Sequence, residues 1–226
     1  MNVKDVEVIE VNKSEIDMLD FIFVQQHKLA MSYIEIEALN NPWVSRKIPV
    51  LIDSPHGQVR LKDFMWRVTE ELAEAQEACT YPFKESVHMI EELADAFHFL
   101  VELAILSDIR SQDIFLFCTH PSKEMIKDSL DYIFFNVEKK SQSGGSVAWC
   151  FWAIVKNLGL AANCLKQKPW KQTHQLTDRN LYKEYILKTF LEFFSMCKTF
   201  DMTSEDLFNI YFKKNKVNQF RIRSKY

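Results

Sequence analysis

A chain of 226 residues with 47% hydrophobic content and 18 Phe can fill a large core, which excludes intrinsic disorder. Only 4 Gly and 6 Pro are available for turns, so a sandwich or barrel of many short strands is excluded and long helices with few connections are expected. A net charge of −3 gives no field for nucleic acid, and neither an apolar leader nor a membrane-length apolar run is read in the sequence, so neither partner is expected.

In chain order, Ser14 to Glu37 carries apolar residues at helical spacing behind a candidate N-cap, Ser14. Residues 40–60 hold Pro42, Pro49, Pro55 and Gly57 and predict an irregular connection, long enough to act as a lid or arm. Leu61 to Thr80 predicts a second helix, broken at Tyr81-Pro82, and Lys84 to Ser107 a third, its antiparallel neighbour. A fourth is expected over Pro121 to Lys140, followed by a flexible linker at 141–146, a fifth over Val147 to Leu165 and a sixth over Asp178 to Phe200. The last starts at Thr203-Ser-Glu-Asp206 and is expected to run to about Lys214, leaving a basic arm at 213–226. The reading is a single all-α domain over 1–226, an antiparallel helix bundle. Five cysteines without C-x-x-C spacing fit reduced, mostly buried thiols in the cytoplasm.

Two segments carry chemistry: Glu70-Glu-Leu-Ala-Glu74 and Glu91-Glu-Leu-Ala-Asp95. Residues three apart share a helix face, so Glu71 pairs with Glu74 and Glu92 with Asp95. On adjacent antiparallel helices, with axes about 8–10 Å apart, the two pairs can converge. Converging carboxylates repel unless a hard cation lies between them; Mg²⁺ fits because it shares its shell with substrate phosphates, and two or more ions are expected, with Mn²⁺ as a substitute. The competing reading is that these acids form solvated faces of a non-catalytic helical interaction protein. A di-iron bundle is disfavoured, because Glu85-x-x-His88 and Asp95-x-x-His98 lie on one helix. His98 is read as a core histidine or one that orients a carboxylate.

The C-terminal segment supplies point charges for phosphates in Lys213, Lys214 and Lys216, a fork donor in Arg221, amides in Asn215 and Asn218 and a stacking ring in Tyr226; the competing reading is a solvated basic tail. Lys166, Lys168 and Trp170 form a second basic and aromatic group, readable as phosphate steering and base stacking or as helix-end cations with an anchoring ring.

Taken with Glu71, Glu74, Glu92, Asp95 and Phe97-His98-Phe99, the segment Lys214-Asn215-x-x-Asn218-x-x-Arg221 to Tyr226 resembles the dimeric dUTPase and dCTP pyrophosphatase branch of the all-α NTP pyrophosphohydrolases, the superfamily that includes MazG. The resemblance implies a homodimer that hydrolyses a deoxypyrimidine triphosphate, dUTP first, to the monophosphate and pyrophosphate. It implies Mg²⁺ at the four carboxylates, Glu71 or Glu74 as the base, and Lys214, Asn218, Arg221 and Tyr226 on the substrate. Many members carry Q-x-x-L-N in the first helix, where the Gln and Asn read uracil. Here Gln26 is followed by Ala30, so Gln26 alone is the candidate base reader, and a dCTP-preferring or broad hydrolase stays open. Ile222 and Lys225 also depart from the pattern. Phage and other viral members show similar drift, and a virus-encoded chain would act in the host cytoplasm.

Overall fold

The computed structural model describes residues 16–41, 45–79, 87–119, 128–137, 141, 146–166, 168, 172 and 175–224, and their secondary structure is helical throughout. The helices are α1 (Met18–Asn40), α2 (Pro55–Ala78), α3 (Val87–Leu106), α4 (Ser111–Cys118), α5 (Ser129–Asn136), α6 (Val147–Cys164), α7 (Arg179–Thr199) and α8 (Ser204–Ser224). The all-α class expected from composition is the class observed.

Several boundaries differ from expectation, each for a local reason. Asp17 caps α1, its side chain accepting from Asp20 N at 3.1 Å, and Ser14, the expected cap, lies outside the described residues. The expected irregular connection at 40–60 is shorter, because α2 already begins at Pro55: Ser54 accepts from Gly57 N at 3.0 Å, and proline fits the first turn, where an N–H has no partner. The single helix expected over 121–140 is described only as α5, residues 121–127 and 138–140 lying outside the described residues. A short helix not foreseen, α4, precedes it, its N-terminus tied by Asp113 accepting from Arg110 N at 3.0 Å. The basic arm at 213–226 is not a tail through residue 224 but the second half of α8. It contains no Gly or Pro, Arg221 and Arg223 lie in its last turn beside the negative end of the helix dipole, and Asn215, Gln219 and Arg223 hydrogen-bond at i,i+4. Of the expected linker at 141–146, residues 142–145 lie outside the described residues.

Few glycines suffice because aspartates close two helices. Asp108 (φ 57°) and Asp201 (φ 55°) adopt the left-handed conformation past α3 and α7. The following N–H then returns to the last turn, Ile109 to Ala104 O at 2.9 Å and Met202 to Cys197 O at 3.0 Å. Two helix starts also brace each other: Asp17 accepts from Ser129 N at 2.7 Å, and Asp128, which caps α5, accepts from Met18 N at 2.7 Å.

The α2–α3 pair runs antiparallel, in a register marked by Cys79 beside Met89 at one end and Arg60 facing Glu102 at the other. α6 and α7 form the second pair. Between the pairs Phe97 of α3 stacks on Phe193 of α7, with centroids 5.3 Å apart, and meets Tyr211 of α8 edge-on at 6.0 Å. α8 seats against α1 and α3, which brings the C-terminal signature to the carboxylate helices. Among the described residues, α6 is long and apolar enough by composition to cross a membrane, a feature the sequence reading did not register. Its inner face, with Cys150, Ile154 and Ala161, is buried in the core. None of the five cysteines is in a disulfide, and four of them are buried.

Candidate active site

On α2, Arg60, Asp63, Arg67, Glu71 and Glu74 recur every three or four residues and therefore share one face. Glu92, Asp95, Phe99 and Glu102 do the same on α3. Antiparallel packing zips the two stripes together in order: Glu71 hydrogen-bonds Glu92, Arg67 lies 5.6 Å over the Phe99 ring, and Arg60 Nη2 faces Glu102 at 3.8 Å. Carboxylate oxygens of Glu71, Glu74 and Glu92 lie within 4.8 Å of one another. Asp95 sits one turn along the same face and is ion-paired with Lys214 of α8. The structure thus gathers three of the four predicted carboxylates at one point and places the fourth beside them, against the predicted lysine.

This geometry is electrostatically costly. Burial, the hydrogen bond to Glu92 and the charges of Asp95, Glu92 and Glu74 push the Glu71 carboxyl up to about 8. Burial also raises Asp95, with Lys214 pulling it back. Three carboxylates this close hold either a proton or a cation between them, and an all-oxygen donor set is the kind a hard divalent ion takes. The donor set therefore fits Mg²⁺. His88 Nδ1 lies 3.1 Å from Glu92 on the exposed side.

Of the other predicted residues, Asn218 is half-buried and Arg221 exposed on α8. Arg221 is near enough to lower both Asp95 and Tyr33, although burial leaves each raised on balance. Tyr226 and Trp170 lie outside the described residues. Lys166 takes φ 61° just past α6, and Lys168 lies near Lys62. Lys62 is nine residues before Glu71 on α2, roughly 13 Å along the axis, so this basic group is not brought to the carboxylates within one chain.

Gln26 and His98 are both buried, His98 as the core histidine that was one of its two expected readings. Gln26 is 2% exposed; its amide donates to Glu102 Oε2 at 3.0 Å and accepts from the Tyr211 hydroxyl at 3.0 Å. Asn215 Nδ2 lies 3.2 Å from the same hydroxyl. The His98 ring stacks on Tyr211 with centroids 4.2 Å apart and places Nε2 at 3.1 Å from the Tyr211 carbonyl. Burial first, then the nearby Lys214 charge, holds this imidazole down at about 4 against the carbonyl's opposing pull, so it is neutral near pH 7. Both side chains lock α8 onto α1 and α3, and Lys214 lies one turn beyond Tyr211.

The sequence reading did not single out Arg60 and Arg67 on the α2 stripe or Glu102 on the α3 stripe. The signal was present in the continuous polar stripe from Arg60 to Glu74. A five-residue polar stripe on a helix that also carries Leu61, Phe64, Val68 and Leu72 can face a cleft rather than open water.

A family model for dUTPase matches residues 79–226, from just past α2 through α8. An all-α bundle with paired carboxylate helices and this match define a nucleoside triphosphate pyrophosphohydrolase. The chain belongs to the dUTPase family. The matched span contains Glu92, Asp95, Lys214, Asn218 and Arg221 and leaves out Glu71, Glu74 and Gln26. No curated protein and no solved structure matches the chain.

Proposed function

We propose that this chain hydrolyses dUTP to dUMP and pyrophosphate in a Mg²⁺-dependent reaction at Glu71, Glu74, Glu92 and Asp95. The observation that carries the proposal is the convergence of Glu71, Glu74 and Glu92 within 4.8 Å in a chain of the dUTPase family. Bound Mg²⁺ would neutralise the carboxylates and the polyphosphate and act as a Lewis acid on the phosphoryl oxygens.

The chain's own residues supply the rest. Glu74 is the exposed member of the cluster and is positioned to take the proton from the attacking water. The water oxygen bonds to the α-phosphorus, the bond to the β-bridging oxygen breaks, and the negative charge leaves on pyrophosphate. Lys214 and Arg221 stand on the α8 side of the cleft, where they balance that charge. Lys214 is paired with Asp95 until substrate and cation arrive. Asn218, half-buried on the same helix, completes the phosphate side. A homodimer, kinship with the MazG superfamily and a cytoplasmic setting belong to this reading and rest on the sequence resemblance.

A panel of dNTPs and NTPs with Mg²⁺, assayed separately for pyrophosphate and for phosphate, tests the proposal. Pyrophosphate release, fastest with dUTP, is the expected result. Preference for dCTP, or equal use of many NTPs, would replace the substrate assignment with the broader hydrolase. No turnover of any triphosphate would leave the non-catalytic interaction protein.

A further inference from the structure

A cavity of about 390 Å³ opens between α4, α6 and α7, helices that supply none of the proposed carboxylate or phosphate contacts. Its volume is that of a small-molecule site near the lower end of the usual range. Leu116 and Phe117 of α4, Ala153 of α6 and Leu191 of α7 give it apolar sides. Its polar members among the described residues are Lys156 and Asn157 of α6 and Lys188 and Glu192 of α7.

Depth sorts these four groups. Asn157 and Glu192 are 5% and 3% exposed and form the floor, whereas Lys156 and Lys188 are partly exposed and stand at the mouth. The Asn157 side chain makes no hydrogen bond among the described residues, and a buried amide without a partner is costly. Its amide atoms are not sealed from the surface, so the little exposure it keeps is on the cavity side. That amide offers a donor and an acceptor side by side. Glu192 accepts from the Ser141 hydroxyl at 2.9 Å, and a carboxylate can accept further bonds. The floor therefore suits a flat ring with an N–H donor and an acceptor on one edge, and Glu192 opposes an anion at that depth.

The mouth has the opposite preference. Lys156 is the one charged residue of α6, and it makes no ion pair among the described residues. Lys188 is partly balanced, bonding Glu184 at 2.6 Å and lying 5.3 Å over the Tyr185 ring. An anionic group at the mouth gains a charge-assisted bond from Lys156. One unbalanced lysine, with no carboxylate cluster to hold a cation, suits a monophosphate rather than a triphosphate. An aliphatic acid would cover the apolar sides and satisfy Lys156, yet it would leave the Asn157 amide without a partner.

We infer that this cavity is a second ligand site, which binds a nucleoside monophosphate with its base edge on Asn157 and Glu192 and its phosphate at Lys156 and Lys188. The inference does not depend on the hydrolase reading above, because no residue is shared between the two sites.

NMR titration of the full chain tests it, with EDTA present so that no cation bridges a nucleotide to the carboxylates. AMP, GMP, CMP and dUMP are compared with their nucleosides, with inorganic phosphate and with hexanoate. At least one nucleotide should give saturable shifts centred on Ala153, Asn157 and Leu191. Lys156→Gln should weaken that nucleotide at least ~10-fold while changing its nucleoside little, the loss expected for one charge-assisted bond. Asn157→Leu should weaken nucleotide and nucleoside alike, and should not lower Tm, since the amide it removes has no partner. Lys156 is partly exposed, so its variant keeps the test decisive even if Asn157→Leu fails to fold. Absence of nucleotide shifts at these residues would overturn the inference, as would equal binding of inorganic phosphate or hexanoate. Equal weakening of nucleotide and nucleoside by Lys156→Gln would overturn the placement of the phosphate.

Discussion

Lys214 of α8 donates to Asp95 of α3 across the cleft, joining the basic C-terminal stretch to one of the two carboxylate pairs. The pair is partly exposed on both sides, 24% for Lys214 and 20% for Asp95, so its own contribution to stability is modest and its weight falls on function.

Asp95→Asn is therefore expected to fold normally and to lose at least ~10²-fold in turnover, since removing a carboxylate from a charge-stabilising site costs several kcal/mol of barrier. Turnover with Mg²⁺ and thermal unfolding of the same sample would be compared. Near-normal activity would remove Asp95 from the site. A collapse in Tm would instead show that its role is structural.

The buried set Tyr211, Gln26, Glu102 and Arg60 predicts a pH signature. Burial is the main cause that raises Glu102, to about 7; Gln26 and Arg60 act against it, Glu37 acts with it and Arg67 acts against it. Because the folded state holds the Glu102 proton more tightly than the unfolded chain, its stabilising contribution is complete below about pH 4.5 and is lost as pH rises through 7, on the order of 3 kcal/mol in total. His98 acts with the opposite sign: held down at about 4, it stabilises above the ordinary histidine value and loses that contribution as pH falls. The two nearly offset each other in wild type, so a single profile hides them. Urea unfolding of Glu102→Gln against wild type at pH 5 and pH 8 separates them: the variant should gain on wild type by a few kcal/mol at the higher pH. An identical stability difference at the two pH values would show that Glu102 does not titrate in this range.

Two glycines predict opposite signs for one substitution. A Cβ on Gly57 would lie 2.2 Å from the Leu51 carbonyl oxygen, so Gly57→Ala must displace the turn that starts α2 and should cost about 1–3 kcal/mol. Gly159, inside α6, has nothing within 4 Å of the same position, and Gly159→Ala should add about 0.5–1 kcal/mol through helix propensity. Chemical denaturation of both variants checks the pair, and equal effects would contradict it.

Much of this molecule was legible without coordinates. Helical periodicity and the scarcity of Gly and Pro determined the all-α class, because a helix satisfies its backbone locally and needs few breakers. Spacing alone paired Glu71 with Glu74 and Glu92 with Asp95, since residues three apart share a face in any helix. Their identity as candidate cation ligands followed from residue chemistry, and the dUTPase resemblance followed from the order of the motifs.

What spacing could not decide was direction across helices. Gln26 and Glu102 are 76 residues apart, and only the packing of α1 on α3 brings the amide to the carboxylate at 3.0 Å. The polar composition of 213–224 suggested a tail, and only the seating of α8 against α1 and α3 made it the helix that carries Lys214 to Asp95. The stripe from Arg60 to Glu74 is visible in the sequence, yet whether it faces water or a cavity depends on where the neighbouring helices end. Local periodicity fixes which side chains share a face, whereas what that face meets is set by contacts between distant segments, and those exist only in the folded chain.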